Sequence, residues 1–347
     1  MTHQHTTTCE HATTVSRRSL LAAGLSALAA PPFALAQTVA PFRIDVHHHL
    51  SPPTHIEALT KAKLGAKASF DWTPQRSIED MDKAGVAVSM TSITTPGVSF
   101  LEPALARAVA RECNEYAAKL RDDTKGRFGV FLAIPLPDID ATLAEIAYGL
   151  DTLKADGIAM LTSYGDAWLG NAKFAPVLDE LNRRKAIVYT HPTSANCCRN
   201  LMPDLADSVI EWGTDTSRTI ASIVFSGAAQ KYRDIKFIFS HAGGTMPFLT
   251  ERFTLVPKLQ KALAPSVPDG VEAELKRFYY DTAQATHAAP MAAFLKLIPV
   301  SQLLFGTDFP FRTAAEHVQG LAAHGFTPAE LAAIERGNAL RLLPKYA

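Results

Sequence analysis

Eight short apolar or β-branched runs, separated by stretches with helical spacing, set the strongest limit on how this chain can fold. They cover residues 43–49, 86–93, 128–134, 157–161, 186–191, 236–241, 277–281 and 302–306. Between several of them, residues 102–119, 139–154, 173–184 and 216–231 carry apolar side chains at the three- and four-residue steps of a helix face. Residues 314–324 and 328–342 read as the last helices, and 262–270 as a surface loop. Strands that alternate with helices pair in parallel through βαβ units. Eight of them fit a (β/α)8 TIM barrel, typically about 250 residues plus insertions. A doubly wound open sheet is the competing arrangement, but no glycine-rich phosphate loop follows the first strand.

The first 36 residues are set apart from the barrel domain expected over residues 37–347. Ser16-Arg17-Arg18-Ser19 precedes a short apolar run, and Ala34-Leu35-Ala36 then offers a small-x-small cleavage site. The paired arginines resemble a twin-arginine export signal, so a periplasmic destination is expected. The apolar run is too short to span a bilayer, and no membrane span is expected in the mature chain. Lys+Arg and Asp+Glu both number 34. That balance gives no reason to expect nucleic acid or an anionic membrane surface as partner. Beyond the signal, Cys113, Cys197 and Cys198 form neither a disulfide framework nor a zinc-ribbon spacing. The adjacent Cys197 and Cys198 read as two free thiols in a loop.

Four strand ends carry groups that can bind a metal or move a proton. The first strand contains Asp45-Val46-His47-His48-His49. Alternation along a strand turns His47 and His49 to one face and His48 to the other. Two imidazoles at that spacing can converge on one metal ion. Asp45 is expected on the face of His47 and His49, about two residues deeper, as a structural carboxylate. The fifth run ends at His191, the sixth at His241, and Asp308 follows the eighth. In a barrel all C-terminal strand ends meet at one mouth, which brings these distant residues together.

Asp-x-His-x-His on the first strand, histidines on the fifth and sixth, and an aspartate after the eighth resemble the amidohydrolase superfamily. The segments around His241 (His-Ala-Gly-Gly-Thr-Met-Pro-Phe), around Asp308 (Gly-Thr-Asp-Phe-Pro-Phe) and from Leu161 to Gly170 are similar to its aminocarboxymuconate semialdehyde decarboxylase-like branch. That branch includes decarboxylases of ortho-hydroxylated aromatic acids such as 6-methylsalicylate and resorcylate. The resemblance implies metal ligation by His47, His49, His191 and Asp308. Many superfamily members bridge two metals with a modified lysine at the end of the fourth strand. Here that strand reads Gly157-Ile158-Ala159-Met160-Leu161-Thr162, so one divalent ion is implied, Zn2+ with Mn2+ as the alternative. The resemblance also makes His241 an acid–base residue beside the metal and Asp308 a candidate proton donor. It makes Arg252, eleven residues after His241, a binder of the substrate carboxylate, in some members across a homodimer interface. Arg218 reads as the partner of Asp215 within a helix. Tyr164, Trp168, Phe309 and Phe311 are candidates for the mouth, with core packing as the alternative for each.

The expected activity is therefore metal-dependent, non-oxidative decarboxylation of an ortho-hydroxylated aromatic or muconate-like carboxylic acid. A mononuclear metal hydrolase of a lactone, ester or amide is the main rival, since the same ligands can activate water. A non-catalytic metal or ligand binder is the third reading, and the complete ligand set beside an acid–base histidine argues against it.

Overall fold

The computed structural model describes residues 42–347. The expected export signal lies outside the described residues. Eight parallel strands follow one another in sheet order as β1 (Arg43–Leu50), β2 (Val86–Ile93), β3 (Phe128–Leu132), β4 (Gly157–Leu161), β5 (Ile187–His191), β6 (Lys236–Phe239), β7 (Tyr279–Asp281) and β8 (Leu303–Leu304). The ring closes between its first and last members. Val46 N–H donates to Phe305 O at 2.9 Å, and His49 N–H donates to Phe309 O at 2.8 Å. This closure excludes the open doubly wound sheet and bears out the barrel.

Two apolar layers hold the ring. Outward residues such as Val86, Phe128, Val130, Ile158, Val188, Phe237 and Phe239 belong to a large core cluster shared with the surrounding helices. Inward residues Ile44, Val46, Val88, Met90, Phe131, Tyr189, Ile238 and Leu304 fill the barrel, and Ala339 and Leu343 from the C-terminal segment join them. Filling the interior with side chains makes the barrel a packed core, with the chemistry left to its rim.

Several elements depart from the sequence expectations for local reasons. β6 stops at Phe239 because His241 (φ 55°) and Ala242 (φ 50°) turn left-handed. The helix expected over 216–231 begins earlier, at Glu211, and stops at Phe225, where Gly227 (φ 82°) separates it from Ala228–Lys231. The last helix is interrupted by a π stretch, Ala333–Gly337, and there Ile334 O accepts from Phe305 N–H at 3.0 Å, tying the segment to the end of β8. The 262–270 stretch contains a 3-10 segment, Lys261–Ser266. Among the described residues no helix is long and apolar enough to cross a membrane.

The β1 strand carries a bulge that alters its alternation. Asp45 pairs with Ser89 and His48 with Thr91, so three steps on β1 match two on β2. Ile44 and Val46 face the interior core, and His47 follows Val46 inward. Asp45 and His48 therefore share the outer side, where Asp45 Oδ2 accepts from His48 Nδ1–H at 3.1 Å. This corrects the expected position of Asp45 on the face of His47 and His49. A bulge re-aims side chains by one residue in this way.

The helix Pro53–Ala62 buries His55, whose Nε2–H donates to Gly97 O at 3.0 Å while Nδ1 has no partner among the described residues. Burial holds its pKa at about 4, below the ordinary 6.5. A histidine that resists protonation in the folded state stabilises fully above 6.5, and that stability is lost as pH falls toward 4. The loss reaches about 3 kcal/mol. His55→Gln keeps an N–H for Gly97 and removes the titration. Denaturant unfolding at pH 7 and pH 4.5 should show the acid-induced loss of stability shrinking by about 2 kcal/mol in this variant. An unchanged loss contradicts the assignment.

Candidate metal centre

Three imidazoles are oriented at the barrel mouth by acceptors on their outer nitrogens. His47 Nδ1–H donates to Asp281 Oδ2 at 2.9 Å, His49 Nδ1–H to Ser92 O at 3.3 Å, and His191 Nδ1–H to Pro192 O at 2.9 Å. Each bond fixes the outer nitrogen as a donor and aims Nε2 inward. The Nε2 atoms of His47 and His49 lie 3.2 Å apart, and Asp308 Oδ1 lies 3.2 and 3.1 Å from them. The Nε2 of His191 is buried and has no partner among the described residues. One ligand atom from each of His47, His49, His191 and Asp308 falls within 4.8 Å of the others.

This arrangement fits a metal ion. Two bare ring nitrogens cannot bond each other, yet ligands about 2.0–2.1 Å from a tetrahedral cation sit roughly 3.3 Å apart. The orphaned His191 nitrogen gains a partner by the same means. These four residues form a metal-binding site, with the composition expected. The end of β4 adds no ligand. Thr162 there donates its hydroxyl to Asp215 Oδ2 at 2.5 Å.

Charge balance leads to the same conclusion. Asp281 and Asp308 are buried, and their side-chain ion partners among the described residues are all histidines. A buried carboxylate without a cation is strongly unfavourable. Burial opposes a charge on His47, but Asp281 and Asp308 more than offset it and raise its pKa to about 10. For Asp308, burial pushes the pKa up, and His47, His241 and His49 pull it well below the usual carboxylate range. Burial lowers His191 well below the ordinary histidine value, and His49 and His47 add to that shift.

Asp308 divides its carboxylate between two tasks. Oδ1 faces His47 and His49, while Oδ2 faces His241 Nε2 at 3.4 Å and accepts from Gln284 Nε2–H. The backbone supports this placement: Asp308 N–H donates to His47 O at 2.8 Å. Asp308, His241 and Gln284 all adopt positive φ, at 64°, 55° and 51°. Strained backbone at three non-glycine positions around one carboxylate is characteristic of a functional site. Asp281 completes the frame, since its Oδ1 accepts from His241 N–H at 2.9 Å and Ala283 N–H at 3.0 Å. Gly306 allows the close approach, because a Cβ there would lie 2.9 Å from Asp281 Cβ and 3.0 Å from His47 Cβ.

The structure brings together His47, His49, His191, His241 and Asp308, as the sequence led one to expect. Arg252 stands apart. It is exposed on the helix Met246–Leu259 and has no hydrogen-bond or ion-pair partner among the described residues. Of the four aromatic candidates, Phe311 lies edge-on to His49 at 5.8 Å and belongs to the mouth. Phe309 instead stacks on His48 at 4.8 Å, on the outer side. Trp168 donates Nε1–H to Asp215 at 2.6 Å, and Tyr164 is buried beside His191. Arg218 lies 3.9 Å from Asp215 and 3.4 Å from Glu211. Cys197 and Cys198 are free thiols, as is Cys113.

Asp281, Gln284 and Trp212 were not anticipated. Asp281 ends β7, so the strand-end logic that selected the histidines applied to it equally. Trp212 lies edge-on to His191 at 5.8 Å, but it begins a helix whose start the sequence placed later. Gln284 sits in a loop, and its left-handed backbone carries no sequence signature. Because His47 holds a proton where the cation goes, loading the metal-free protein with Zn2+ or Mn2+ at pH 8 should release about one proton. Calorimetric titration in buffers of different ionisation enthalpy reads that number, and no proton release contradicts the charge assignment.

A family model described as Amidohydrolase matches residues 44–345. The decarboxylase yanB of Aspergillus niger is 36% identical over 325 residues, covering 88% of each chain. A 6-methylsalicylic acid decarboxylase of Penicillium expansum is 35% identical over 316 residues, covering 87% of this chain and 96% of the relative. Among solved structures, a dihydroxybenzoic acid decarboxylase of Polaromonas with bound manganese and 2-nitroresorcinol has the same fold. Its TM-score is 0.76 at 18% identity, over 88% of this chain and 98% of that one. With the metal site, the closed barrel and these matches along nearly all of the described residues, the chain belongs to the amidohydrolase family.

Proposed function

We propose that the protein is a metal-dependent, non-oxidative decarboxylase of an ortho-hydroxylated aromatic carboxylic acid. The observation that carries this reading is the division of Asp308, with one oxygen on the metal site and the other beside His241. A carboxylate in that position can take a proton from an imidazole and deliver it next to the metal. Its relatives in Aspergillus and Penicillium, named as decarboxylases, support the same reaction class.

A divalent ion held by His47, His49, His191 and Asp308 would supply the positive charge that binds the oxygens of an ortho-hydroxy carboxylate. Trp212 and Phe311 place aromatic rings beside His191 and His49, which suits a flat ring. His241 Nε2 passes a proton to Asp308 Oδ2 across their 3.4 Å contact, and Asp308 delivers it to the ring carbon that bears the carboxylate. Gln284 holds Oδ2 in place for that transfer. The bond between ring and carboxylate then breaks, CO2 leaves, and its electron pair restores the aromatic ring. Proton transfer from a positioned side chain of this kind contributes about 10²–10⁴-fold. Three imidazoles and one carboxylate suit Zn2+. Mn2+, the ion bound in the Polaromonas protein, would be favoured where further oxygen ligands join the same residues.

The helix Met246–Leu259 supports the expected homodimer. Phe248, Leu255 and Leu259 are 67%, 40% and 77% exposed, and with Arg252 they fall at successive four- and three-residue steps along one helical stripe. Large apolar side chains grouped on a surface mark an interaction site. In a homodimer this stripe carries Arg252 to the interface, where its guanidinium can pair with a substrate carboxylate. Light scattering should give twice the chain mass for the wild type and the single mass for a Leu255→Glu, Leu259→Glu double variant. A monomeric wild type at tens of micromolar contradicts the dimer.

Metal-loaded protein incubated with a panel of ortho-hydroxybenzoates should release CO2 in equal amount to the phenol formed. Removal of the metal abolishes turnover, and Asp308→Asn lowers kcat by at least about 100-fold. The reading fails if no such acid yields CO2 while a lactone, ester or amide is cleaved.

A further inference from the structure

Of the three histidines aimed at the metal site, His191 takes its outer support from outside the sheet. His47 is oriented by the Asp281 carboxylate at the end of β7, and His49 by Ser92 O inside β2. His191 depends on Pro192 O, the carbonyl one residue beyond the end of β5. No strand carries that carbonyl, so its position is set by what holds the chain from His191 to Thr193.

Thr162, one residue beyond the end of β4, holds that stretch at both ends. Its N–H donates to His191 O at 3.0 Å, and its hydroxyl oxygen accepts from Thr193 N–H at 3.2 Å. Pro192 O lies between these two anchors along the chain. A hydroxyl has one hydrogen and must turn it away from an N–H that it accepts. Thr162 gives its hydrogen to Asp215 Oδ2 at 2.5 Å.

Asp215 is fully buried on the helix Glu211–Phe225. Its Oδ2 also accepts from Ser163 Oγ–H at 2.9 Å, and its Oδ1 accepts from Trp168 Nε1–H at 2.6 Å. Its ion-pair partner among the described residues, Arg218, stands off at 3.9 Å. Both oxygens are thus engaged by donors from the end of β4 and the segment after it. An uncharged side chain of the same shape cannot serve all three. An amide offers one oxygen, which the rigid indole N–H claims, and its NH2 then faces the two hydroxyls. Thr162 would have to accept from that NH2, and its hydrogen would swing toward Thr193 N–H.

We propose that Asp215 is a positioning residue for the metal centre. Acting through Thr162, it fixes the carbonyl that orients His191, and with it the direction of the unpartnered Nε2. The inference concerns the metal-binding site and does not depend on which reaction the ion serves.

The test is metal binding, with no turnover required. Zn2+ and Mn2+ affinities are measured by competition with a chelator, and the visible absorption of the Co2+-loaded protein reports ligand geometry. Asp215→Asn and Thr162→Val should weaken binding about 10–100-fold, the usual cost of losing an outer partner of a ligating histidine, and should alter the Co2+ spectrum. Thr162→Ser keeps the hydroxyl and should retain both wild-type values. Ser163→Ala removes a donor to the same Asp215 oxygen without touching Thr193, and should also leave affinity and spectrum unchanged. Wild-type affinity in Asp215→Asn or in Thr162→Val overturns the proposal. So does an equal loss in Ser163→Ala, which marks a general loosening of the segment after β4. Where Asp215→Asn does not fold, Thr162→Val carries the same prediction, because it cuts the route from Asp215 to His191. If the wild-type protein releases no CO2 from any acid, the decarboxylase reading falls and these binding measurements still decide the role of Asp215.

Discussion

Three imidazole lone pairs and one carboxylate oxygen are directed at a single point inside a closed barrel, and the mouth depends on the charge that resolves this crowding. Ring nitrogens 3.2 Å apart repel unless a proton or a cation lies between them. In the absence of metal, His47 holds a proton firmly between Asp281 and Asp308, with a pKa raised to about 10 against the cost of burial. A divalent ion satisfies the same carboxylates and also the His191 nitrogen that a single proton leaves without a partner. The orientation of each histidine follows from this, because the acceptors Asp281, Ser92 O and Pro192 O fix the outer nitrogens.

The scaffold around the site is built to hold β1 against the loop after β8. Asp45 is central to it, accepting from Thr307 Oγ1–H at 2.7 Å, Thr307 N–H at 3.1 Å and His47 N–H at 2.9 Å, as well as from His48. The β1 bulge turns Asp45 outward for these bonds and leaves His47 and His49 facing in. His48, which takes no part in metal ligation, bonds Ser77 at 2.9 Å on the neighbouring helix. The histidine run thus serves two layers: two rings for the metal and one for the helix that packs behind the strand.

The barrel and its metal ligands were legible because both rest on strong local patterns. Alternation of strand and helix specifies parallel pairing, and parallel pairing gathers the strand ends that carry His47, His49, His191, His241 and Asp308. The position of Asp45 was not legible, since a bulge of one residue reverses the face of everything before it and leaves no mark in composition. Gln284 and the left-handed turns at His241 and Asp308 depend on long-range contacts to the same carboxylate. The broken helix after β5 and the π stretch near the C-terminus likewise reflect tertiary hydrogen bonds that override helical periodicity. Arg252 entered through resemblance alone, and it lies exposed on the helix Met246–Leu259, apart from the metal ligands.

A hydrolase and a decarboxylase can share this ligand set, and they differ in where the solvent atom goes. Hydrolysis inserts a water oxygen into the product, whereas decarboxylation replaces a carboxylate with a solvent-derived hydrogen on carbon. Turnover of an ortho-hydroxy aromatic acid in 18O-enriched D2O by the metal-loaded protein, followed by NMR and mass spectrometry of the product, separates the two directly. Decarboxylation leaves one deuterium on the ring carbon that bore the carboxylate, with no solvent oxygen incorporated into the phenol. A product that retains its carboxylate, or one that gains solvent oxygen without ring deuteration, would contradict it.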